Sequence, residues 1–130
     1  MSKLLKISIL LVTMVGLSAY LGTNLQAAEA AKAKAMTLTG EVVDLACYMH
    51  AGLKGPDHKA CAVACAANGV PLGLLDEKTH KLYVDLGRDA MNKDVPVLKG
   101  HEAEWVTVKA LVYVKDGLPG ITIQSLEVAR

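Results

Sequence analysis

All three cysteines of this 130-residue chain fall within nineteen consecutive positions, at Cys47, Cys61 and Cys65. A histidine, His58, stands three residues before Cys61. Thiolate and imidazole groups are the usual ligands of zinc, which prefers four of them in a tetrahedron, and thiolates also suit Cu(I). The spacing Cys-x10-His-x2-Cys-x3-Cys matches no standard zinc-finger motif. It nevertheless predicts a site for one transition-metal ion, zinc or copper, with these four residues as ligands.

The same sulfurs have two other possible uses. Pairing three cysteines leaves one over, so a disulfide from Cys47 to Cys61 or Cys65 with a reactive third thiol would make a thiol/disulfide protein. Cys61 and Cys65 pair poorly within one helix, because Cβ atoms four residues apart lie ~5–6 Å apart while a disulfide prefers ~3.8 Å. Otherwise the cysteines are structural: they pack as small apolar residues, or the cluster only stabilises the fold of a non-catalytic envelope interaction module.

Residues beside the cysteines could assist a metal. Met49 and His50 are further candidate ligands for Cu(I), and Asp44 could accept a hydrogen bond from a ligand or carry a proton. His50, His80 and His101 stand in polar segments, which favour a surface position. No nucleophile elbow, His-Glu-x-x-His, phosphate-binding glycine loop or Cys-x-x-Cys is present. The sequence therefore predicts no catalytic residue.

A short helix is predicted to carry most of the cluster. Asp57 is typical of an N-cap, an alanine-rich segment follows from 58 to 68, and Asn68-Gly69 is a common helix stop. On such a helix His58, Cys61 and Cys65 share one face. Cys47 is predicted at the end of a first strand that spans 38–44 and runs on through 45–47, from where it would face the helix.

The rest of the chain reads as β-structure. Valines alternate with other residues from Val106 to Val114, which predicts a strand with one buried face, and the segment Lys115–Gly120 predicts a turn. The remaining strands are predicted at Val70–Leu75, Lys81–Leu86 and Ile121–Val128, with one helical turn around Ala90 and Met91. Five strands with a long insertion after the first match a mainly β, OB-like Greek-key barrel; a small open sandwich is the alternative.

The amino terminus predicts export. Lys3 and Lys6 precede an apolar run from Ile7 to Leu21 and a small-residue stretch, the pattern of a signal peptide cleaved near residues 27–30. An uncleaved anchor is the alternative, although fifteen apolar residues fall short of the ~20 that span a bilayer. The expected organisation is a signal peptide at 1–30, a flexible spacer at 31–35 and one OB-like domain at 36–130. Such a protein would be periplasmic or secreted, with no membrane span after cleavage.

The charge balance excludes partners that are held by bulk charge. Cleavage after residue 30 removes two of 14 basic and one of 13 acidic side chains, which leaves twelve of each. Nucleic acids and anionic membranes need a basic patch. A metal ion and an envelope protein remain the partners to expect.

Three motifs resemble those of uncharacterised small exported bacterial proteins. The shared motifs are Asp-x-x-Cys-Tyr at Asp44–Tyr48, His-x-x-Cys-Ala-x-x-Cys-Ala at His58–Ala66 and Gly-x-Pro-Leu-Gly-Leu at Gly69–Leu74. The closing strands are similar to OB-type modules of the bacterial envelope. The resemblance implies an envelope location and a functional Cys/His cluster, and it supplies no activity.

Overall fold

The computed structural model describes residues 33–88 and 96–129 of the chain. They form β1 Lys34–Asp44, α1 Leu45–Ala51, a 3-10 turn Pro56–His58, α2 Lys59–Ala67, β2 Leu72–Asp76, β3 Leu82–Asp85, β4 Trp105–Lys115 and β5 Leu118–Val128. In these two ranges neither α-helix has the length and apolar character needed to cross a membrane. The proposed signal peptide and the predicted helical turn around Ala90 and Met91 lie outside the described residues.

The five strands close into a barrel. Their order is β1-β2-β3-β5-β4, and β4 pairs in turn with β1. All neighbouring strands are antiparallel except β3 and β5, which run parallel. Both helices lie in the connection from β1 to β2. The predicted mainly β, OB-like Greek-key barrel with a helical insertion after the first strand is confirmed.

The valine stripe of β4 packs into the barrel core. Val106 and Val108 are fully buried, Ala110 and Val112 are nearly so, and only Val114 at the strand's end is exposed. Each buried valine contributes roughly 1.5–3 kcal/mol of hydrophobic free energy relative to an exposed one. Core residues from the other strands complete an apolar interior that contains no member of the cysteine cluster.

β1 pairs with two other strands of the barrel, β4 and β2. Its residues 34–41 pair with β4 and its residues 40–44 pair with β2, so Gly40 and Glu41 pair with both strands. Gly40 is the tighter of the two positions. A Cβ atom there would collide with the carbonyl oxygen of Leu75, which explains the glycine. The strand begins at Lys34, paired with Val112. Two residues of the predicted spacer, Lys34 and Ala35, therefore belong to the barrel.

The hairpin between β4 and β5 is tighter than predicted. Its loop is Asp116-Gly117 alone, and both residues have positive φ angles, 50° and 84°. Two-residue loops of this kind match the twist of the flanking strands, and Asp-Gly is one of their preferred sequences. The predicted turn at Lys115–Gly120 is centred correctly, but its outer residues are paired strand.

Candidate metal centre

Cys47 lies on a helix, and not on a strand as predicted. β1 ends at Asp44, whose backbone is extended, with φ −76° and ψ 134°. The Oδ1 atom of Asp44 accepts a hydrogen bond from the backbone N–H of Cys47 at 2.8 Å, and Gly52 ends α1 in the left-handed conformation. Asp44 is thus an N-cap, and the cap turns the chain into α1 three residues before the sulfur.

The start of the second helix also differs from the prediction. Asp57 does not cap α2, because it lies inside a turn of 3-10 helix, Pro56–His58, that leads directly into α2 at Lys59. No side chain caps α2 at this end. The predicted stop is confirmed: the helix ends at Ala67, and Gly69 follows with φ 86°. This arrangement places His58 at the junction of the two helical segments.

The three cysteine sulfurs converge. The Sγ atoms of Cys47, Cys61 and Cys65 all lie within 4.8 Å of one another, and those of Cys47 and Cys65 are 3.9 Å apart. Metal–sulfur bonds of about 2.3 Å would put two sulfurs about 3.8 Å apart in a tetrahedron and about 4.0 Å apart in a flat triangle. All three are free thiols; Cys47 and Cys65 are half-buried, while Cys61 is exposed. The sulfurs are therefore spaced for one shared ion.

His58 lies in a second group that shares Cys47. Its Nε2 atom is 2.9 Å from Oδ2 of Asp44, and the ligand atoms of Asp44, Cys47 and His58 lie within 4.8 Å of one another. The Asp44 side chain is fully buried and that of His58 is 11% exposed. An acidic residue at a strand end is usually solvated, so the sequence did not indicate this burial. Cys47 links the buried Asp44–His58 pair to the other two sulfurs.

The carboxylate of Asp44 controls the protonation of the nearest thiol. Its hydrogen bond with the Cys47 thiol, together with burial and the Cys65 thiol, raises the pKa of Cys47 to about 12. Burial also raises the pKa of Cys65. Burial alone would raise the pKa of Asp44, but hydrogen bonds from the Cys47 N–H and His58 lower it. A metal ion must displace the thiol protons, so its binding would release protons.

A second buried acid, Glu41 of β1, anchors the loop between the helices. It is 3% exposed, it accepts a hydrogen bond from the N–H of Gly55, and Lys54 Nζ lies 3.9 Å from its Oε2. This loop leads into the turn that carries His58. Glu41 was not predicted from the sequence, since a single acid within a β-branched strand carries no distinguishing signal.

Two further sets of bonds hold the insertion on the barrel. The N–H of Val70 donates to the carbonyl of Cys65 at 3.0 Å, and the N–H of Leu45 donates to the carbonyl of Pro71 at 3.0 Å. The first bond closes the end of α2 before the chain enters β2, and the second ties the start of α1 to the residue that precedes β2. Lys59 also forms an ion pair of 2.8 Å with Glu104, just before β4.

The other candidate ligands lie outside both groups. Met49 is 70% exposed, and His50 is exposed, with its Nδ1 hydrogen-bonded to the carbonyl of Ala46. His80 is exposed as predicted. His101 is half-buried and lies 3.0 Å from Glu104. Within the described part of the chain, the potential metal-binding groups contain only Asp44 and the four ligands predicted from the sequence.

The geometry defines a Cys/His cluster on the insertion of a small barrel, with sulfurs close enough to share a transition-metal ion. Comparisons of the chain with protein-family models, curated proteins and solved structures find no match.

Proposed function

We propose that this is an exported protein that binds one zinc or copper ion through Cys47, Cys61 and Cys65, with His58 completing the four ligands that zinc prefers. The observation that carries the proposal is the convergence of three sulfur atoms within 4.8 Å of one another. They come from two different helices, so the convergence is not a by-product of sequence spacing within one element.

Inert packing explains this arrangement poorly. Buried cysteines commonly fill core space as small apolar residues, yet none of the three belongs to the barrel core, and Cys61 is exposed. The small residues that anchor α2 are the buried Ala62 and Ala66. Since alanines fill the packing positions, the sulfurs need another explanation, which shared metal ligation supplies.

The placement of the cluster favours metal handling over a purely structural role. The apolar core of the barrel contains none of the cysteines, and the insertion contributes only Ala66 to it, so an ion at the insertion would mainly order the helices and the loop between them. The exposure of Cys61 leaves one ligand within reach of solvent or another molecule. An ion held there could be acquired and released without unfolding the barrel.

Export is part of the proposal. It is supported by the Lys3, Lys6 and Ile7–Leu21 pattern, and an envelope protein that delivers or receives the metal is the partner we expect. Cell fractionation with an antibody against the barrel tests it. Recovery of a processed chain in the periplasmic or secreted fraction supports export, and recovery of the full-length chain in the cytosol contradicts it.

One distance favours a second candidate function, that of a thiol/disulfide protein. The sulfurs of Cys47 and Cys65 are 3.9 Å apart, so a modest change of side-chain torsions would bring them to the ~2.05 Å of a disulfide. Their oxidation by a disulfide-bonded donor would join the two sulfurs and pass two electrons and two protons to the donor's sulfurs. Cys61 would remain as the exposed free thiol.

Metal analysis combined with thiol counting separates the two candidates. The mature protein is purified without added metal or chelator, alongside His58→Ala and the matched control His50→Ala. Metal binding predicts about one ion per chain and three thiols that react only after chelation. If the ion is zinc, His58→Ala should hold less metal and His50→Ala should not. Absence of metal with a single reactive thiol would contradict the proposal and favour the disulfide protein.

A further inference from the structure

The two groups of potential ligands overlap at one atom, and they differ in chemical character. The first contains only sulfur, from Cys47, Cys61 and Cys65, while the second contains the sulfur of Cys47, a carboxylate oxygen of Asp44 and a ring nitrogen of His58. A thiolate set suits soft ions, whereas imidazole and carboxylate suit harder ones. The same cluster thus offers two coordination environments that share Cys47.

A soft monovalent ion needs only the first group. Cu(I) selects thiolates, and the 3.9 Å separation of the Cys47 and Cys65 sulfurs is close to the edge of a flat triangle with arms of about 2.3 Å. Three thiolates can therefore hold Cu(I) while the hydrogen bond of 2.9 Å between Asp44 and His58 stays intact. In that state the fully buried carboxylate keeps the Cys47 N–H and His58 as partners and loses only the hydrogen bond of the Cys47 thiol.

Zinc has a different requirement. It takes four ligands in a tetrahedron and accepts nitrogen and oxygen as readily as sulfur. His58 is the histidine that shares a group with the cysteine cluster among the described residues. Its Nε2 atom is bonded to the buried carboxylate of Asp44. A ligating histidine usually keeps such a bond on the ring nitrogen that does not face the metal, where the carboxylate orients the ring, so zinc could bind Nδ1 with the bond to Asp44 in place.

We infer that the site distinguishes metals by ligand set: Cu(I) binds the three sulfurs alone, and zinc adds His58, whose ring Asp44 orients. The inference rests on the proposed function and assigns a separate role to each group. Cys61 belongs only to the sulfur group and His58 only to the mixed one, so substitutions at these two positions should have opposite selectivity.

Competition titrations test this directly. Zn(II) against a chromogenic chelator and Cu(I) against bicinchoninate, under reducing anaerobic conditions, are measured for wild type, His58→Ala, Cys61→Ser and the control His50→Ala. His58→Ala should weaken zinc binding at least about tenfold and change Cu(I) affinity by less than about threefold. Cys61→Ser should weaken Cu(I) by at least about 100-fold and zinc by only about tenfold, because the mixed group remains.

A second readout addresses the ligand itself. Co(II), a spectroscopic probe for zinc sites, should show a shifted visible d–d spectrum in His58→Ala and an unchanged one in His50→Ala. Circular dichroism of the metal-free variants verifies that each is folded. Cys61 is exposed, so its substitution should leave the fold unchanged.

Three outcomes are distinguishable. The crossed pattern of affinities supports the inference. Equal weakening of both metals by both variants, or an unchanged Co(II) spectrum in His58→Ala, overturns it and leaves the proposed function standing. Failure of wild type to compete for either metal overturns the proposed function as well.

Discussion

The connections that follow β1 and β2 begin in the same way and end differently. Each starts with a buried aspartate at the last position of its strand, Asp44 and Asp76. Each aspartate accepts a hydrogen bond of 2.8 Å from the backbone N–H three residues later, that of Cys47 or Thr79. The local geometry of the chain reversal is therefore common to both.

The second hydrogen bond separates the two regions. Asp76 takes it from the Thr79 hydroxyl at 2.7 Å, within the same short turn. Asp44 takes it at 2.9 Å from His58, fourteen residues away, and the residue that it caps is a cysteine of the cluster. Asp76, whose bonds are all within one turn, stabilises only that turn. Asp44, with one bond to a distant residue, positions His58 beside the cysteine cluster.

The largest expected effect is a loss of zinc affinity when the third residue after Asp44 is changed. The corresponding change after Asp76 is the control. Cys47 belongs to both ligand groups, so Cys47→Ser should reduce zinc affinity by at least about 100-fold, roughly one ligand's share of a structural zinc site. Thr79→Ala removes one hydrogen bond to Asp76 and should leave affinity unchanged. Isothermal titration calorimetry measures both. Equal affinities for wild type and Cys47→Ser would contradict the assignment.

Metal binding should stabilise the protein through the first region only. Free metal at 100 times the dissociation constant adds ~2.7 kcal/mol to the free energy of unfolding. Thermal unfolding before and after chelation measures the gain in wild type, which should vanish in Cys47→Ser and persist in Thr79→Ala. A chelator-sensitive melting temperature in Cys47→Ser would show that the ion binds elsewhere.

Removal of each aspartate should affect stability unequally. Asp76→Ala loses the two hydrogen bonds from Thr79 within its turn, worth about 1 kcal/mol. Asp44→Ala loses a helix cap, also about 1 kcal/mol, and leaves the nearly buried His58 ring without its acceptor, which adds about 1–3 kcal/mol. Urea denaturation of the metal-free variants compares them. If Asp76→Ala proved the more destabilising, the long-range bond of Asp44 would have little energetic weight.

Lowering the pH should reduce the contribution of the turn at Asp76 to the free energy of unfolding. Burial alone would raise the pKa of Asp76, but the hydrogen bonds from Thr79 lower it below its ordinary value of 3.8. A lowered pKa in the folded state contributes stability above the unfolded value, and that stability is lost as pH falls through the lower folded value. Asp76→Asn should therefore show a shallower loss of stability than wild type below pH 3.8. Identical acid limbs in urea titrations would contradict this.

The smallest effect is expected at the surface pair that ties α2 to the segment before β4. Lys59 and Glu104 are 2.8 Å apart, and Lys59 is 46% exposed. Solvent screening limits such a pair to ~0.2–1 kcal/mol, so Lys59→Ala should lower the free energy of unfolding by no more than that and leave metal affinity unchanged. A marked loss of affinity would mean that the pair positions the cluster.

Most of the barrel could be predicted from the sequence, because its strands and turns are marked by local sequence patterns. Alternation from Val106 to Val112 fixes which face of β4 is buried, and Asp116-Gly117 marks the hairpin. Helix α1 was missed for a physical reason. Leu45 to Cys47 is a short apolar run that fits a strand or a helix equally well by periodicity, and only the capping bond from Asp44 decides between them.

The sequence predicted the candidate ligands, but not the hydrogen bonds that position them. Cys47, His58, Cys61 and Cys65 are chemically conspicuous and close in sequence. The bond from His58 to Asp44 depends on how two helices pack against β1, and the bond from Gly55 to Glu41 depends on a loop conformation. Asp44 and Glu41 position the insertion because they are buried and hydrogen-bonded, and the burial of an acid has no local signature in the sequence.

X-ray absorption spectroscopy of the metal-loaded mature protein decides whether the sulfurs are the ligands, because it counts the atoms bound to the ion. We expect three sulfur neighbours at about 2.3 Å for a single zinc or copper ion, with one added nitrogen in the zinc form. A first shell made only of oxygen and nitrogen would contradict it, since the converging sulfurs would then not be the ligands.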